Sequence, residues 1–447
     1  MIVSTKYGRI EGTESDSCHI FKGIPYAAPP VGKLRFEKPE NPLPWEGIYK
    51  ADSFRCKSIQ FENPMGGFYK KEFYSNPEFD VPVSEDCLYL NIWVPKGYTE
   101  KLPVAVYVHG GAFMSGAGSN LPFVCDNLAK EGVIVVTINY RLGALGFLCH
   151  PLFGKDGESA AGGNYGLWDI VAAIKWVKEN IDKFGGDPCN ISAFGQSAGA
   201  MSLQALAVSK ELDGLVKRMI LQSGGGYDNP LGRLKRAEDA KTFGDDLIES
   251  FGIDPERALK DEGSKIAALD KIKSASEDEV KEALLKAMGK SFEKRMGMPY
   301  APVIDGKLLK EGIKESIDAG NVLDIEYILG SNGDDITAEN TDKTPETNPM
   351  HRANVEYAKR MKKPSFVYYF DRKLPGDDAG AFHSAELWYV FGSLSYCWRP
   401  LDEHDEEISL GMIKCWSNFF KCGDPNGNDE KEWKRCTESD AFYKVFK

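Results

Sequence analysis

A serine flanked by glycines is the first feature of this chain that could do covalent chemistry. Residues 195–199 are Gly-Gln-Ser-Ala-Gly, which matches the G-x-S-x-G pattern of a nucleophile on a tight strand-to-helix turn. A strand is predicted at 190–194 and a helix at 198–207, as that turn requires. Glycines fit there because neighbouring Cβ atoms would clash around the strained serine. We therefore predict that Ser197 is a nucleophile and that the Ala198 N–H, at the helix start, binds a developing oxyanion.

A glycine-rich loop upstream could supply the other oxyanion donors. Residues 109–113, His-Gly-Gly-Ala-Phe, directly follow the apolar run 104–108, which predicts a buried strand. Backbone N–H groups can converge on one small space where side chains are minimal, because the substrate can then approach closely. We assign Gly111 and Ala112 as donors beside Ala198. Alanine, where the pattern usually has a third glycine, can still donate its N–H but narrows the pocket.

The base is expected late in the chain, because hydrolases built on this turn place the serine first, then the acid, then the histidine. Three histidines follow Ser197. His404 lies in an acidic run typical of a solvated helix start, and His351 has no strand before it. His383 follows the predicted strand 366–370 on a loop with small residues, as a catalytic histidine should. We therefore predict His383 as the general base.

The acid is expected directly after the strand that precedes the histidine. Asp334 and Asp335 both follow the predicted strand 326–329. Either carboxylate could fix the imidazole tautomer of His383 and stabilise its protonated form. Spacing alone leaves both open, and the other aspartate would then be a turn or capping residue. Serine, acid and histidine in this order predict two-step acyl transfer, which needs no metal or organic cofactor.

Alternation of strand and helix signals predicts an α/β architecture, with a mostly parallel central sheet flanked by helices. Apolar residues spaced by three and four over 167–180 predict one of these helices. The charge-rich segment from about 228 to 300 has helical periodicity, and we predict a helical insertion over the sheet. Because strands are predicted on both sides of it, 1–447 is interpreted as a single domain. The strands are predicted at 104–108, 133–138, 191–194, 218–222, 326–329 and 366–370.

Composition and charge exclude several classes of partner. The 447 residues carry a formal net charge of −12, which argues against nucleic acid and anionic membrane surfaces because both attract basic proteins.

The sequence contains no run of about twenty apolar residues, so no transmembrane helix is predicted. The N-terminal segment shows no signal peptide pattern, so we expect a cytoplasmic protein, or a secreted one if a signal had been removed. The ten cysteines form no CxxC pair, so we expect no zinc site and mostly free, buried thiols.

Taken together, the motifs resemble those of the type B carboxylesterase family, which includes cholinesterases and bacterial esterases. The resemblance runs nearly end to end and is highly specific. It implies an α/β-hydrolase fold and hydrolysis of small-molecule carboxylic esters. The matching segments lie at 21–36, 84–95, 108–113, 139–148, 163–169, 184–200, 221–225, 302–306, 329–335, 383–392 and 416–427.

The resemblance also implies roles for residues that spacing leaves open. It assigns the acid to Asp335 rather than Asp334, and aspartate is one methylene shorter than the glutamate commoner in the family. Ser223 matches a serine that commonly supports the acid by hydrogen bonding. Cys56 and Cys87 match a family cysteine pair, which implies a disulfide in an oxidising compartment and free thiols in a reducing one.

Two departures from the family pattern bear on the substrate. Gln196 stands where the family usually has glutamate, so a negative charge beside the nucleophile is missing. The loop 57–86 has no tryptophan, whereas cholinesterases use one there to hold a quaternary ammonium. Cation binding depends on an aromatic face and nearby negative charge, so both departures argue against choline esters.

The predicted function is therefore hydrolysis of small-molecule esters through an acyl-enzyme. An amidase or another acyl hydrolase is an alternative, because it would use the same triad. A non-catalytic binding module is a third hypothesis, disfavoured because such proteins typically lose the serine or the histidine. Phe113, Phe382 and Trp388 are expected to line or flank the site, or else to belong to the core.

Overall fold

Strands and helices alternate along much of the chain, and most strands join one large sheet. The computed structural model describes residues 1–61, 67–154, 162–294, 299–336, 344–428 and 432–447. The strands in these residues are β1 (Ile2–Thr5), β2 (Gly8–Glu14), β3 (Cys18–Pro25), β4 (Ile48–Ala51), β5 (Lys57–Ser58), β6 (Val83–Ser84), β7 (Tyr89–Pro95), β8 (Leu102–Val108), β9 (Ile134–Ile138), β10 (Gly186–Gln196), β11 (Arg218–Gln222), β12 (Lys235–Arg236), β13 (Val303–Ile304), β14 (Glu326–Asn332), β15 (Ser365–Phe370) and β16 (Lys444–Phe446). The helices are α1 (Gly67–Phe73), α2 (Asp126–Lys130), α3 (Gly143–Phe147), α4 (Tyr165–Asn180), α5 (Ala198–Ser209), α6 (Ala237–Ser250), α7 (Pro255–Ala258), α8 (Glu262–Ser274), α9 (Glu277–Lys294), α10 (Ile313–Asp318), α11 (Pro349–Arg360), α12 (Leu387–Val390) and α13 (Glu403–Cys422).

The main sheet is mostly parallel, which confirms the predicted architecture. Its strands follow the order β1-β2-β3-β7-β9-β8-β10-β11-β14-β15-β16, and β4 pairs with β2. From β9 to β16 every neighbouring pair is parallel. The strands β1, β2, β3 and β7 add an antiparallel edge that joins the sheet at β9 and was not predicted from the sequence.

Side chains alternate between two cores along the central strands, because successive residues of a strand point to opposite faces. In β8, Val104, Val106 and Val108 belong to one core. Ala105 and Tyr107 of the same strand belong to the other. Helices α4 and α5 pack on the first face, and α12 and α13 pack on the second. Burial on both faces explains why these strands are continuous apolar runs in the sequence.

The segment 228–300, predicted as a helical insertion, contains α6, α7, α8 and α9. Arg35 connects it to the rest of the protein. The Arg35 guanidinium pairs with Glu85, with 2.6 Å between Nε and Oε1, and donates to the carbonyl oxygen of Ala275 just before α9. Both side chains of the ion pair are 2% exposed. The loss of either partner would leave a buried charge without compensation. The hydrogen bond from Arg35 to Ala275 ties the residues just before α9 to this pair.

All ten cysteines lie in the described residues, and all are free thiols. Cys56 and Cys87, the pair implied by the family resemblance, are therefore not bonded to each other here. Burial raises the pKa of the Cys87 thiol well above its ordinary value, which keeps it protonated. In the part of the chain that the structure describes, no helix has the length and apolar character needed to span a bilayer.

Candidate active site

The predicted site residues follow the carboxyl ends of neighbouring parallel strands. The loop 109–113 follows β8, Ser197 follows β10, Ser223 follows β11, Asp335 follows β14, and His383 lies on the loop after β15. These strands are adjacent in the sheet, in the order β8-β10-β11-β14-β15. Open parallel sheets bind ligands in the crevice outside the carboxyl ends of their strands. The topology therefore brings residues that are far apart in sequence to one edge.

Ser197 lies on the sharp turn between β10 and α5. Its backbone angles are φ 53° and ψ −124°, a conformation that non-glycine residues rarely adopt. The Ser197 N–H donates to the carbonyl oxygen of Gln222 at 2.8 Å, which ties the turn to β11. A Cβ on Gly199 would lie 2.0 Å from the carbonyl oxygen of Val108. Glycine at position 199 therefore allows α5 to start in contact with β8.

Asp335 and His383 form a buried pair. His383 Nδ1 lies 2.5 Å from Asp335 Oδ1. The Asp335 carboxylate also accepts from the backbone N–H groups of Asn332 (3.0 Å) and Ile336 (2.9 Å). The side chains of His383 and Asp335 are 8% and 0% exposed. Because three donors fix the carboxylate, it can hold the imidazole in one orientation.

Asp335 and His383 shift each other's pKa. Burial raises the pKa of Asp335, but the neighbouring His383 and the hydrogen bonds to the carboxylate outweigh burial, so this pKa lies below its ordinary value. Burial lowers the pKa of His383, but the attraction of Asp335 outweighs it, so this pKa is raised. An ionised Asp335 accepts a hydrogen bond from the Nδ1–H group, which leaves Nε2 of the neutral ring as a proton acceptor.

Ser223 contributes to the same carboxylate. It is fully buried at the end of β11. Its side chain helps to lower the pKa of Asp335, after the contributions of burial, His383 and the Asn332 N–H. Among the described residues, its hydroxyl has no partner at normal hydrogen-bond geometry. Its effect on the pKa of Asp335 is therefore weaker than that of the Asn332 N–H.

The other candidate acid and bases lie elsewhere. Asp334 pairs with Lys373 at 2.9 Å, on the loop that leads towards His383. His351 is buried in α11, and burial lowers its pKa to about 4. His404 lies half-exposed at the start of α13. The contact between Asp335 and His383 therefore distinguishes between alternatives that spacing left open.

The N–H groups of Gly111, Ala112 and Ala198 carry no hydrogen bond to another residue in the described part of the chain. The Gly111 carbonyl oxygen accepts from the N–H groups of Met114 and Ser115, both at 2.9 Å. Gly111 and Ala112 have positive φ values of 116° and 53°. The loop 109–113 is thus held in a tight turn that leaves N–H groups free for a ligand.

A cavity of about 340 Å³ opens beside these groups. Most of its lining is apolar or aromatic, and no described lining residue is an aspartate, glutamate, lysine or arginine. The lining residues are Phe61, Tyr69, Phe73, Tyr74, His109, Gly110, Gly111, Ala112, Met114, Ser115, Asn120, Pro122, Phe123, Gln196, Ser197, Met288, Ile336, His383, Ser384 and Leu387. Met288 belongs to α9, so the helical segment contributes to the cavity wall.

The three aromatic residues expected at the site are absent from the described lining of this cavity. Phe382 and Trp388 pack directly behind the lining residue Phe73, with ring centroids 6.4 and 5.6 Å from it. Phe113 packs against Phe147 in the core, at 4.9 Å between centroids. Two of the three therefore flank the site, and Phe113 is a core residue.

Comparisons with known proteins agree with this architecture. A model of the carboxylesterase family matches residues 1–357 and 347–446. The chain is 32% identical over 474 residues to para-nitrobenzyl esterase of Bacillus subtilis (strain 168), covering 95% of this chain and 90% of the relative. It is 32% identical over 514 residues to bile salt-activated lipase of Bos taurus, covering 95% and 79%. A solved structure of PNB esterase superposes with a TM-score of 0.84 at 29% identity, covering 100% of this chain and 96% of that one.

The chain belongs to the carboxylesterase family. The resemblance inferred from its motifs is confirmed, and its structural neighbours share the α/β-hydrolase fold. The family match and the relatives support hydrolysis of carboxylic esters, which makes the protein a serine ester hydrolase.

A second buried carboxylate, that of Glu386, lies near the pair of Asp335 and His383 and was not predicted from the sequence. Glu386 is fully buried and accepts from the side-chain amides of Asn332 (2.6 Å) and Gln222 (3.2 Å). The Asn332 amide also donates to the carbonyl oxygen of Phe382 at 2.7 Å. Burial raises the pKa of Glu386 to about 7. The network connects β11 and β14 to the histidine loop, and its signal in the sequence is a lone glutamate in the apolar run 385–391.

Helix α1 of the carboxylesterase forms one wall of the cavity through Tyr69 and Phe73. Glu72 of the same helix is buried among hydrogen-bond donors. Its carboxylate accepts from Arg399 Nε at 3.0 Å and from Trp398 Nε1 at 2.8 Å. This buried network attaches the cavity wall to the loop that precedes α13.

Proposed function

We propose that this carboxylesterase hydrolyses uncharged small-molecule esters with a triad of Ser197, His383 and Asp335. The observation that supports it most directly is the 2.5 Å contact between His383 Nδ1 and Asp335 Oδ1. With Nδ1 engaged, Nε2 is the ring nitrogen that remains to serve a nucleophile, and Ser197 and His383 line the same cavity. The lowered pKa of Asp335 supports an ionised carboxylate that holds the tautomer and stabilises the imidazolium.

The proposed reaction has two steps. His383 Nε2 takes the proton from Ser197 Oγ while this oxygen attacks the ester carbonyl carbon. The N–H groups of Gly111, Ala112 and Ala198 bind the oxyanion of the tetrahedral intermediate. His383 then donates the proton to the leaving alcohol, and the acyl group stays on the serine. Water attacks the acyl-enzyme by the same route and releases the acid.

The lining of the cavity supports uncharged, largely apolar substrates. Its described residues carry no ammonium, guanidinium or carboxylate group, and the rings of Tyr69, Phe73 and Phe123 face it. A charged group bound there would lose its hydration without gaining a partner of opposite charge. A volume of about 340 Å³ suits a small ligand. The name of one relative, para-nitrobenzyl esterase, supports the same class of substrate.

Ser197→Ala tests the nucleophile. This variant is expected to lose cleavage of short-chain p-nitrophenyl esters and covalent labelling by a fluorophosphonate, with an unchanged circular dichroism spectrum. Ser209→Ala, at the far end of α5, is the matched control and is expected to keep both activities. Labelling or substantial hydrolysis by Ser197→Ala would contradict the assignment. A wild-type protein that neither labels nor hydrolyses esters would indicate a binding module.

Matched substrates test the reaction class and the substrate charge. An ester is expected to react faster than the amide with the same acyl group, and the reverse order would indicate an amidase. The neutral ester 3,3-dimethylbutyl butyrate is expected to exceed butyrylcholine in kcat/KM by at least about tenfold, or roughly 1.4 kcal/mol. A preference for the choline ester would contradict the proposal of an uncharged substrate.

A further inference from the structure

The side-chain amide of Gln196 lies between the loop 109–113 and the ring of His383. Gln196 Nε2 is 3.2 Å from His383 Nε2. A Cβ on Gly110 would lie 2.7 Å from Gln196 Oε1 and 2.9 Å from Ser197 Cβ. The amide therefore fills space that a side chain at position 110 would need. Gln196 is 2% exposed, so its amide meets the ring away from bulk solvent.

The protonation of the ring decides which group donates in this contact. Nδ1 of His383 faces the ionised carboxylate of Asp335 at 2.5 Å, so Nδ1 carries the proton of the neutral ring. Nε2 then has a lone pair, and the amide N–H of Gln196 is the group that can bond to it. Within the described residues, the hydrogen bonds of this ring go to Asp335 and Gln196, and the Ser197 hydroxyl is not among its partners.

We propose that Gln196 is a positioning residue that occupies the Nε2 lone pair of His383 in the free enzyme and releases it to the Ser197 hydroxyl when an ester binds. The inference rests on the proposed function, because it takes His383 to be the base. An ionised glutamate, which the family resemblance leads one to expect at this position, cannot donate a hydrogen bond. Glutamate would stabilise the protonated ring, whereas glutamine stabilises the neutral ring.

The other titratable groups that face His383 come from three elements. Asp335 follows β14 and contacts Nδ1. Glu386, just before α12, also attracts the protonated ring. Tyr69 of α1 has its hydroxyl 3.4 Å from the His383 carbonyl oxygen. These groups stay in place in variants of Gln196, so a change in the titration of His383 in such a variant reports on the amide.

The pH dependence of the kinetics tests the inference, since kcat/KM reports ionisations of the free enzyme and kcat those of the enzyme–substrate complex. Gln196→Met removes the donor but keeps the side-chain length. The acid limb of the kcat/KM profile, where activity falls as His383 is protonated, should move to higher pH by roughly half to one unit. In the wild type, the donor to the neutral ring makes protonation harder, and the variant lacks that donor. The acid limb of kcat should move less, because the bond is released in the complex. Gln196→Glu should move the kcat/KM limb up further, since it adds a negative charge.

Gln204→Met is the matched control. Gln204 is a buried glutamine of α5 whose amide donates to the carbonyl oxygen of Gly226 at 2.8 Å. This variant is expected to leave the acid limb of kcat/KM where it is in the wild type. A second readout is the ¹⁵N chemical shift of His383 Nε2, which should lose its hydrogen-bond contribution in Gln196→Met.

Each outcome decides the inference. An unmoved acid limb in Gln196→Met would mean that the contact has no effect on the ring, and a limb moved to lower pH would mean that the amide oxygen faces it; both overturn the proposal. Equal shifts in kcat and kcat/KM would overturn the release on substrate binding. Stoichiometric fluorophosphonate labelling of every variant shows that the nucleophile is intact. Loss of labelling in the wild type would instead refute the proposed function.

Discussion

Removal of the Glu72 carboxylate should loosen the cavity wall and destabilise the protein. Glu72 is 1% exposed, and it accepts from Trp388 Nε1 (3.2 Å), Trp398 Nε1 (2.8 Å) and Arg399 Nε (3.0 Å). In Glu72→Ala, the two indole N–H groups would lose this acceptor. The guanidinium would keep its pair with Asp377, at 2.8 Å from Nη1.

The size of the effect follows from these partners. Breaking a buried ion pair by removing one side costs about 3–5 kcal/mol, and a buried donor left without an acceptor costs about 1–3 kcal/mol. Because Asp377 still compensates the charge of Arg399, we expect an ion-pair cost of only about 1 kcal/mol, and two indole donors at about 1 kcal/mol each bring the total to about 3 kcal/mol. With an unfolding entropy of about 2.1 cal/mol/K per residue over 447 residues, the melting temperature should fall by about 3 °C.

Differential scanning calorimetry and steady-state kinetics measure both consequences. KM for a p-nitrophenyl ester should rise with little change in kcat, because α1 carries the lining residues Tyr69 and Phe73. Glu282→Ala is the matched control: Glu282 is 65% exposed and pairs with Lys286, and such a surface pair contributes at most about 1 kcal/mol. A melting temperature of Glu72→Ala equal to that of Glu282→Ala would refute the reasoning that this buried network fixes α1.

Three further changes test the site. Asp335→Asn should lower kcat by about 10³–10⁴-fold, because the amide would favour the wrong tautomer of His383; kcat near the wild-type value would exclude Asp335 as the orienting acid. Glu386→Gln should flatten the melting temperature against pH. The folded-state pKa of Glu386 is raised from 4.5 to about 7, so the stabilisation from its protonated form is complete below pH 4.5 and is lost as the pH rises through about 7; an unchanged slope in calorimetry would contradict this. Gly110→Ala should lower kcat/KM about 100-fold, because its Cβ would lie 2.8 Å from the Gln196 carbonyl oxygen and 2.9 Å from Ser197 Cβ and would displace the nucleophile. Wild-type kinetics in Gly110→Ala would show that the loop 109–113 has space for a Cβ at position 110 and would contradict this prediction.

The central strands could be predicted from the sequence because burial on both faces makes them apolar throughout. The prediction at 191–194 was too short, since β10 runs from Gly186 to Gln196. Its first half is polar, and its pairing with β8 shifts register between Gly186 and Ile191, so no apolar run marks it. The edge strand β2 was missed for a similar reason. In β2, Ile10 is the one buried residue, which is too little for a periodic signal.

The site could be predicted where a motif fixes a residue at the end of a strand. Spacing did not decide between Asp334 and Asp335 as the acid, because both follow β14. The two aspartates are distinguished by the three-dimensional contact between Asp335 and His383. Glu386 could not be assigned a role, since its partner Gln222 is 164 positions away in the sequence. Glu72 was missed because the arginine that compensates its charge lies 327 positions away. Long-range hydrogen bonds of buried carboxylates leave no local pattern.

The charges around His383 give a physical reason for an amide at position 196. Asp335 already attracts the protonated ring, and Glu386 adds a second carboxyl group whose pKa is about 7. A third carboxylate at 196 would be buried beside a cavity whose described lining has no cationic side chain. Like charges that share a site raise each other's pKa, so part of this negative charge would be lost by protonation near neutral pH. Glutamine avoids that repulsion, and its N–H favours the neutral ring that the proposed base requires.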